Sequence, residues 1–151
     1  MSLRTDETNE AEERFAKMFA NISADEMRCK CGDCLLPIDD AEFTGFCLEL
    51  QHLRNVLGFP FRFTSFYRCP TYNDQIYINL AIVADRPPQP GSHMDGPHTK
   101  GAADIAVAFE RMYKLVAEAL QREMGVGAHQ RGPVAERYIH VDNLGSRFWT
   151  Y

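Results

Sequence analysis

A histidine and an aspartate six positions apart, His98 and Asp104 in "GPHTKGAADIAV", stand on either side of a glycine. Imidazole and carboxylate are both suitable ligands for a catalytic zinc, which takes three protein donors and keeps a fourth position for water. Gly101, between the two, permits a tight backbone reversal that brings both side chains to one point. A third donor stands far along the chain: His140 in "YIHVDN". Strand alternation there puts Tyr138, His140 and Asp142 on one face, with Ile139 and Val141 on the other. A His–Asp pair beside a glycine is also what an ordinary polar loop looks like; the histidine on an amphipathic strand is what lifts it above that reading.

The elements that must hold these groups follow from periodicity. "EAEERFAKMFANI" predicts a short helix with Phe15, Met18 and Phe19 at helical spacing. "AEFTGFCLELQHLRNVLG" predicts a longer one, capped by Asp39 or Asp40 and stopped by Gly58. Its apolar face is Phe43, Phe46, Cys47, Leu50, Leu53 and Leu57. "FPFRFTSFY" alternates like a half-buried strand, and "CPTYNDQIYINLAI" holds one helix started near Thr71. Residues 85–97, rich in proline and glycine, are loop. "AADIAV" is strand-like, and "FERMYKLVAEALQREMG" is a second strong amphipathic helix, ended by Gly125 and Gly127. "RYIHVDN" reads as a final strand. Helices and strands mix without regular alternation. The expectation is α+β, with helices packed on one side of a small, largely antiparallel sheet.

At 151 residues the chain is long enough for one domain with a real core. The expected division is a mobile N-terminus, residues 1–8, and a single domain over 9–151. Hydrophobic residues at 45% and charged residues at 25% are ordinary for a globular protein. A net charge of −5, with 16 scattered basic residues, argues against nucleic acid as a partner. The acidic, polar opening "MSLRTDETNEAEERF" has no apolar run suited to a signal peptide, and no stretch is long enough to span a bilayer. Cytoplasmic synthesis is therefore expected, export needing another route. Five cysteines, three of them crowded into "CKCGDC", do not resemble a secreted disulfide framework. Cys29, Cys31 and Cys34 could bind a structural zinc with Cys47 or Cys69 as fourth ligand. Only one knuckle is visible, however, and thiols packed in a short loop are the plainer reading.

In chain order, "TSFYRCPTYN", "PHTKGAADI", "GVG", "YIHVDN" and "SRFWTY" resemble the zinc D-Ala-D-Ala carboxypeptidase family. That family includes phage and bacterial peptidoglycan peptidases and shares its fold with the hedgehog signalling domain. Its pattern is an S-x-Y-R segment, then H-x-x-G-x-A-x-D, then a late H-x-D, frequently closed by an arginine and a tryptophan. The likeness runs from about residue 29 to the end, because many relatives also carry a C-x-C-G segment before the first long helix. It implies a hedgehog/DD-peptidase-like fold and a zinc metallopeptidase cutting peptidoglycan stem peptides, as a D,D-carboxypeptidase or an endopeptidase. His98, Asp104 and His140 match the Zn²⁺ ligands. Arg68 matches an arginine that lies beside the substrate, commonly near a peptide carboxylate, a task suited to a planar five-donor guanidinium. Its alternative is a salt bridge anchoring a strand end. Asn73 and Gln75 are candidates for lining the same cleft. The likeness also implies a phage-type lysin or virion component that reaches the cell wall.

Three departures bear on activity. The family's histidine and aspartate are normally seven apart, but here "GAAD" shortens the interval to six. Gly96 stands where a serine often precedes the first ligand, and Arg137 stands where many relatives have an acidic general base. The available carboxylates are Glu136, four before His140, and Asp142, two after it. On a strand both share parity with His140. Asp142 also suits a partner that fixes a histidine ring, and Glu136 a solvated loop position. Asp142 is preferred as base because "HVD" recurs in the resembling branch, with His129 a third option. Two rivals stay open: a zinc-binding module that does not hydrolyse, which the missing acid at Arg137 supports, and a phage or cell-surface structural domain whose His98–Asp104 loop binds nothing.

Overall fold

Alternation decides which side of the sheet meets the helices. A computed structural model describes residues 2–151. Among these, the helices are α1 (Asp6–Ala16), α2 (Ala24–Met27), α3 (Ala41–Leu57), α4 (Pro70–Val83) and α5 (Phe109–Gln121). The strands are β1 (Phe63–Ser65), β2 (Ala102–Ala106), β3 (Gly125–His129), β4 (Tyr138–Asp142) and β5 (Arg147–Thr150). They form one sheet in the order β1-β2-β4-β3-β5. The first three pairings are antiparallel and β3–β5 is parallel, so the fold is α+β with a mixed, mainly antiparallel sheet. The parallel edge comes from β5, in "SRFWTY", which follows the strand expected to be last.

Ala103, Ile105, Val126, Ala128, Ile139 and Val141 point to one face and are buried with Phe43, Phe46, Leu50 and Leu53 of α3 and Leu115 and Ala119 of α5. Removing this apolar surface from water is the main stabilising term. Asp40 caps α3 by accepting from the N–H groups of Glu42 and Phe43, and Gly58 ends it at φ 74°. Both ends of this helix lie where its sequence places them.

The opposite face carries the other parity. Cross-strand partners project together, so Ala102, Asp104, Tyr138, His140, Asp142, Gly125, Gly127, His129, Arg147 and Trp149 share it. Two of the glycines correct an expectation. Gly125 and Gly127 do not end α5, which stops at Gln121, with Glu123 in the left-handed region at φ 58°. They lie inside β3, under close cover. A Cβ on Gly125 would sit 2.3 Å from the Asp142 carboxylate, and one on Gly127 would sit 2.5 Å from the Trp149 indole. We therefore expect Gly127→Ala to displace Trp149, costing about 1–3 kcal/mol as overpacking does. A lower urea midpoint with altered tryptophan emission is the measurement.

The segment 1–8, expected to be mobile, is tied down over its described part. Thr5 caps α1 in a reciprocal box with Thr8. The Leu3 N–H donates to the Asp33 carbonyl at 3.1 Å, and Arg4 donates to Glu12 at 2.8 Å. Met1 lies outside the described residues. Helix α1 also stops earlier than its apolar spacing suggests, leaving Met18 exposed.

Candidate metal centre

β2 and β4 run side by side in register, so Asp104 faces His140 directly across the ladder. His98 comes from a 3-10 turn, Pro97–Thr99, that feeds β2. The Arg68 N–H holds that turn by donating to the His98 carbonyl at 2.9 Å. Gly101 is required by close approach rather than by a reversed backbone. It is not among the glycines with positive φ, yet a Cβ there would lie 2.7 Å from Phe46 of α3.

His98, Asp104 and His140 are all buried and offer ligand atoms within 4.8 Å of one another. Asp104 Oδ1 lies 2.9 Å from His140 Nδ1 and 3.3 Å from His98 Nε2. Donors about 2.0–2.1 Å from a tetrahedral ion stand about 3.3 Å apart, so these two gaps are near those of a zinc site. The six-residue interval is absorbed by the 3-10 turn, which leaves Asp104 opposite His140.

The outer nitrogens of both rings are spoken for. His98 Nδ1 lies 2.6 Å from the Phe66 carbonyl. A carbonyl can only accept, so Nδ1 carries the proton and Nε2 presents its lone pair inward. His140 Nε2 donates to Asp142 Oδ2 at 2.8 Å, which leaves Nδ1 for the cluster. Acceptors behind ligand imidazoles are what metal sites use to fix ring orientation and raise ligand basicity.

The charges interlock in the same way. Burial alone would raise the Asp104 carboxyl pKa, but the hydrogen bond from His140 and the adjacent His98 ring hold it well below the ordinary carboxylate range. Burial opposes a charge on His140, yet Asp104 and Asp142 together keep its pKa above the usual imidazole value. A divalent cation held by His98, Asp104 and His140 would take the place of the His140 Nδ1 proton and meet an already ionised aspartate.

Asp142 is fully buried and multiply engaged. It accepts from His140, from Arg147 at 2.6 Å and from the Leu144 N–H at 3.0 Å. This is the ring-fixing arrangement weighed for it above, with no carboxylate oxygen left unbonded. We expect Asp142→Asn to weaken zinc binding by about 10–100-fold, the usual loss for such partners. Competition against a chromophoric chelator reads it directly.

Glu136 lies exposed in the 3-10 turn Val134–Glu136 and makes no hydrogen bond to the cluster. Arg68 lies beside the site, its Nη2 3.5 Å from Asp104 Oδ2 and its Nε donating to the Ser65 hydroxyl at 2.9 Å. Asn73 is buried as a brace: Oδ1 accepts from Arg68 at 3.4 Å and Nδ2 donates to the His93 carbonyl at 2.8 Å. Gln75 faces elsewhere, bonding Asn79 and bordering a cavity with Cys31, Cys34 and Cys69.

Sequence reasoning passed over the aromatic wall around His140. Trp149 lies 5.3 Å from its ring, and His129 stacks flat on Tyr138 at 4.8 Å, with Tyr151 against both. Burial and the nearby Asp104 charge push the Tyr138 phenol well above its ordinary pKa, so it remains a proton donor. Strand parity already puts Tyr138 beside His140; β5, unforeseen, supplies the rest. Comparison with protein-family models, with curated proteins and with solved structures found no match.

Proposed function

We propose that this chain is a zinc-dependent peptidase acting on peptidoglycan stem peptides, with a hedgehog/DD-peptidase-like fold. The observation that carries the reading is the buried His98–Asp104–His140 cluster, whose ligand atoms lie within 4.8 Å of one another with both rings anchored from behind. His98, Asp104 and His140 would hold zinc, which would supply Lewis acidity for activating water and polarising a carbonyl. Arg68, braced by Ser65 and Asn73, orients a peptide carboxylate next to the cluster. Tyr138, kept protonated, supplies a hydroxyl donor on the same sheet face. Asp142 acts as a positioning residue through His140.

A second reading has its own support. Neither Asp142, buried and engaged by His140, Leu144 and Arg147, nor Glu136, exposed and unconnected, is set to accept a proton from water at the cluster. A module that holds zinc and binds peptide without cutting it needs no such base. The experiment is to load the protein with zinc, incubate it with purified peptidoglycan and seek new stem-peptide fragments by mass spectrometry. Fragments that vanish in His98→Ala support the peptidase. Stoichiometric zinc at the cluster without fragments, across pH, supports the binding module; no zinc at the cluster sinks both.

A further inference from the structure

A second constellation lies outside that centre. Cys29, Cys31, Cys34 and Cys69 bring their sulfurs within 4.8 Å of one another, from parts of the chain up to 40 residues apart. All are free thiols. Cys69 Sγ is 3.9 Å from Cys29 Sγ and 3.9 Å from Cys31 Sγ. Four thiolates each about 2.3 Å from one tetrahedral ion stand about 3.8 Å apart, so the observed gaps are those of a closed sulfur site. The surroundings are those of a knuckle. Gly32, at φ 80°, turns the chain, and its N–H donates to the Cys29 carbonyl at 3.2 Å. Backbone N–H groups also point at sulfur: Asp33 to Cys31 at 3.5 Å, and Cys69 to Cys29 at 3.4 Å. Cys69 is the N-cap of α4, so its backbone is set by the start of that helix.

We propose that Cys29, Cys31, Cys34 and Cys69 form a structural tetrathiolate site for zinc. With all four positions filled by sulfur it has no open place for water, so it does no hydrolysis. Its role is to staple the 29–34 loop to the start of α4. Arg68 immediately precedes Cys69, and the Tyr67 N–H donates to the Met27 carbonyl at 3.2 Å. The staple therefore fixes the backbone on which Arg68 stands. Each ligand must lose its proton for zinc to bind, so the site is released by acid as well as by chelators.

The site shares no ligand with the His98–Asp104–His140 cluster, so either assignment can fail alone. The test uses the His98→Ala/His140→Ala protein, in which only the sulfurs can hold a metal. Purified and dialysed, it should retain about one zinc per chain, against about two in the wild type. Cobalt exchanged into it should show intense sulfur-to-cobalt charge transfer and the strong ligand-field bands of a tetrathiolate. Adding Cys31→Ser and Cys34→Ser should abolish both signals. If that variant does not fold, the cobalt spectrum of the histidine variant still decides. Weak, octahedral-type cobalt bands, iron instead of zinc, or a mass showing disulfides between these cysteines in the purified wild type would overturn the proposal.

Discussion

Asp104→Ala protein should emerge from dialysis with about one zinc per chain where the wild type keeps about two, the remaining ion held by sulfur. Asp104 is the common point of its cluster, hydrogen-bonded to His140, 3.3 Å from His98 and 3.5 Å from Arg68. Its removal deletes one of three donors and also takes away the acceptor that aligns His140 Nδ1. Two imidazoles alone then bind zinc far more weakly than the loss of a supporting partner such as Asp142 would cause. If the chain is a peptidase, release of stem-peptide fragments should fall by at least about 10³-fold, because even one oxyanion donor is worth about 10²–10³. Asp104→Asn is the companion variant: it keeps the shape and an oxygen while removing the charge. It should recover the fold and little of the zinc. Metal analysis beside fragment counting reads both effects. Full zinc occupancy of the histidine cluster in Asp104→Ala would remove the basis for the proposed centre.

The grouping of His98, Asp104 and His140 was legible because two of the three sit where local rules are strong. His140 lies on a strand whose aliphatics alternate with polar groups, and Asp104 lies on a strand that pairs with it in register. The His98–Asp104 interval is one residue shorter than the pattern the chain resembles, and the turn that bridges it was expected at Gly101. A 3-10 turn advances the chain differently from a strand and delivers Nε2 within 3.3 Å of Asp104. What could not be read was which side chains are already used. Asn73 and Asp142 look available as letters, yet both are buried and already hydrogen-bonded, Asp142 to His140, Leu144 and Arg147 and Asn73 to Arg68 and His93.

The fold divides along the same line. Helix α3 carries its cap, its apolar stripe and its terminating glycine within one local stretch, and it forms between those signals. The glycines of β3 carry an ambiguous local message, because glycine ends helices and also admits close cover from neighbours. Only the long-range placement of Trp149 and Asp142 over Gly127 and Gly125 resolves it. β5 was missed for a related reason: its exposed residues show no inward stripe. Its place depends on β3 offering an edge, a condition set by the sheet rather than by "RFWT" itself. The cysteines follow the same logic. One knuckle is visible in "CKCGDC", but the fourth sulfur arrives from the start of α4.

Glu12→Ala should destabilise the protein by about 3–5 kcal/mol at neutral pH, as expected when one member of a buried charge network is deleted. Glu12 is 2% exposed on α1 and accepts from Arg4 at 2.8 Å, from Arg28 at 2.8 Å and from the Leu36 N–H at 2.7 Å. Alanine leaves two largely covered guanidiniums without this carboxylate and orphans a buried N–H. Arg28 retains Asp25 and Glu13, which favours the lower end of the range. Burial opposes ionisation of Glu12, but the Leu36 N–H, Arg28 and Arg4 hold its pKa below the ordinary 4.5. A carboxyl depressed on folding contributes fully above its unfolded pKa and loses that contribution as pH falls through the lowered folded value. The gap between wild type and Glu12→Ala should therefore be widest near neutrality and narrow below pH of about 4. Glu12→Gln, which keeps an acceptor for Leu36 without the charge, should fall between the two. Urea titrations of all three proteins at neutral and acid pH provide the measurement, and a gap that is small at neutrality or widens in acid would contradict the assignment. Because this carboxylate joins α1 to Arg28 and Leu36, on either side of the 29–34 loop, its loss should also loosen the segment carrying three of the four clustered sulfurs.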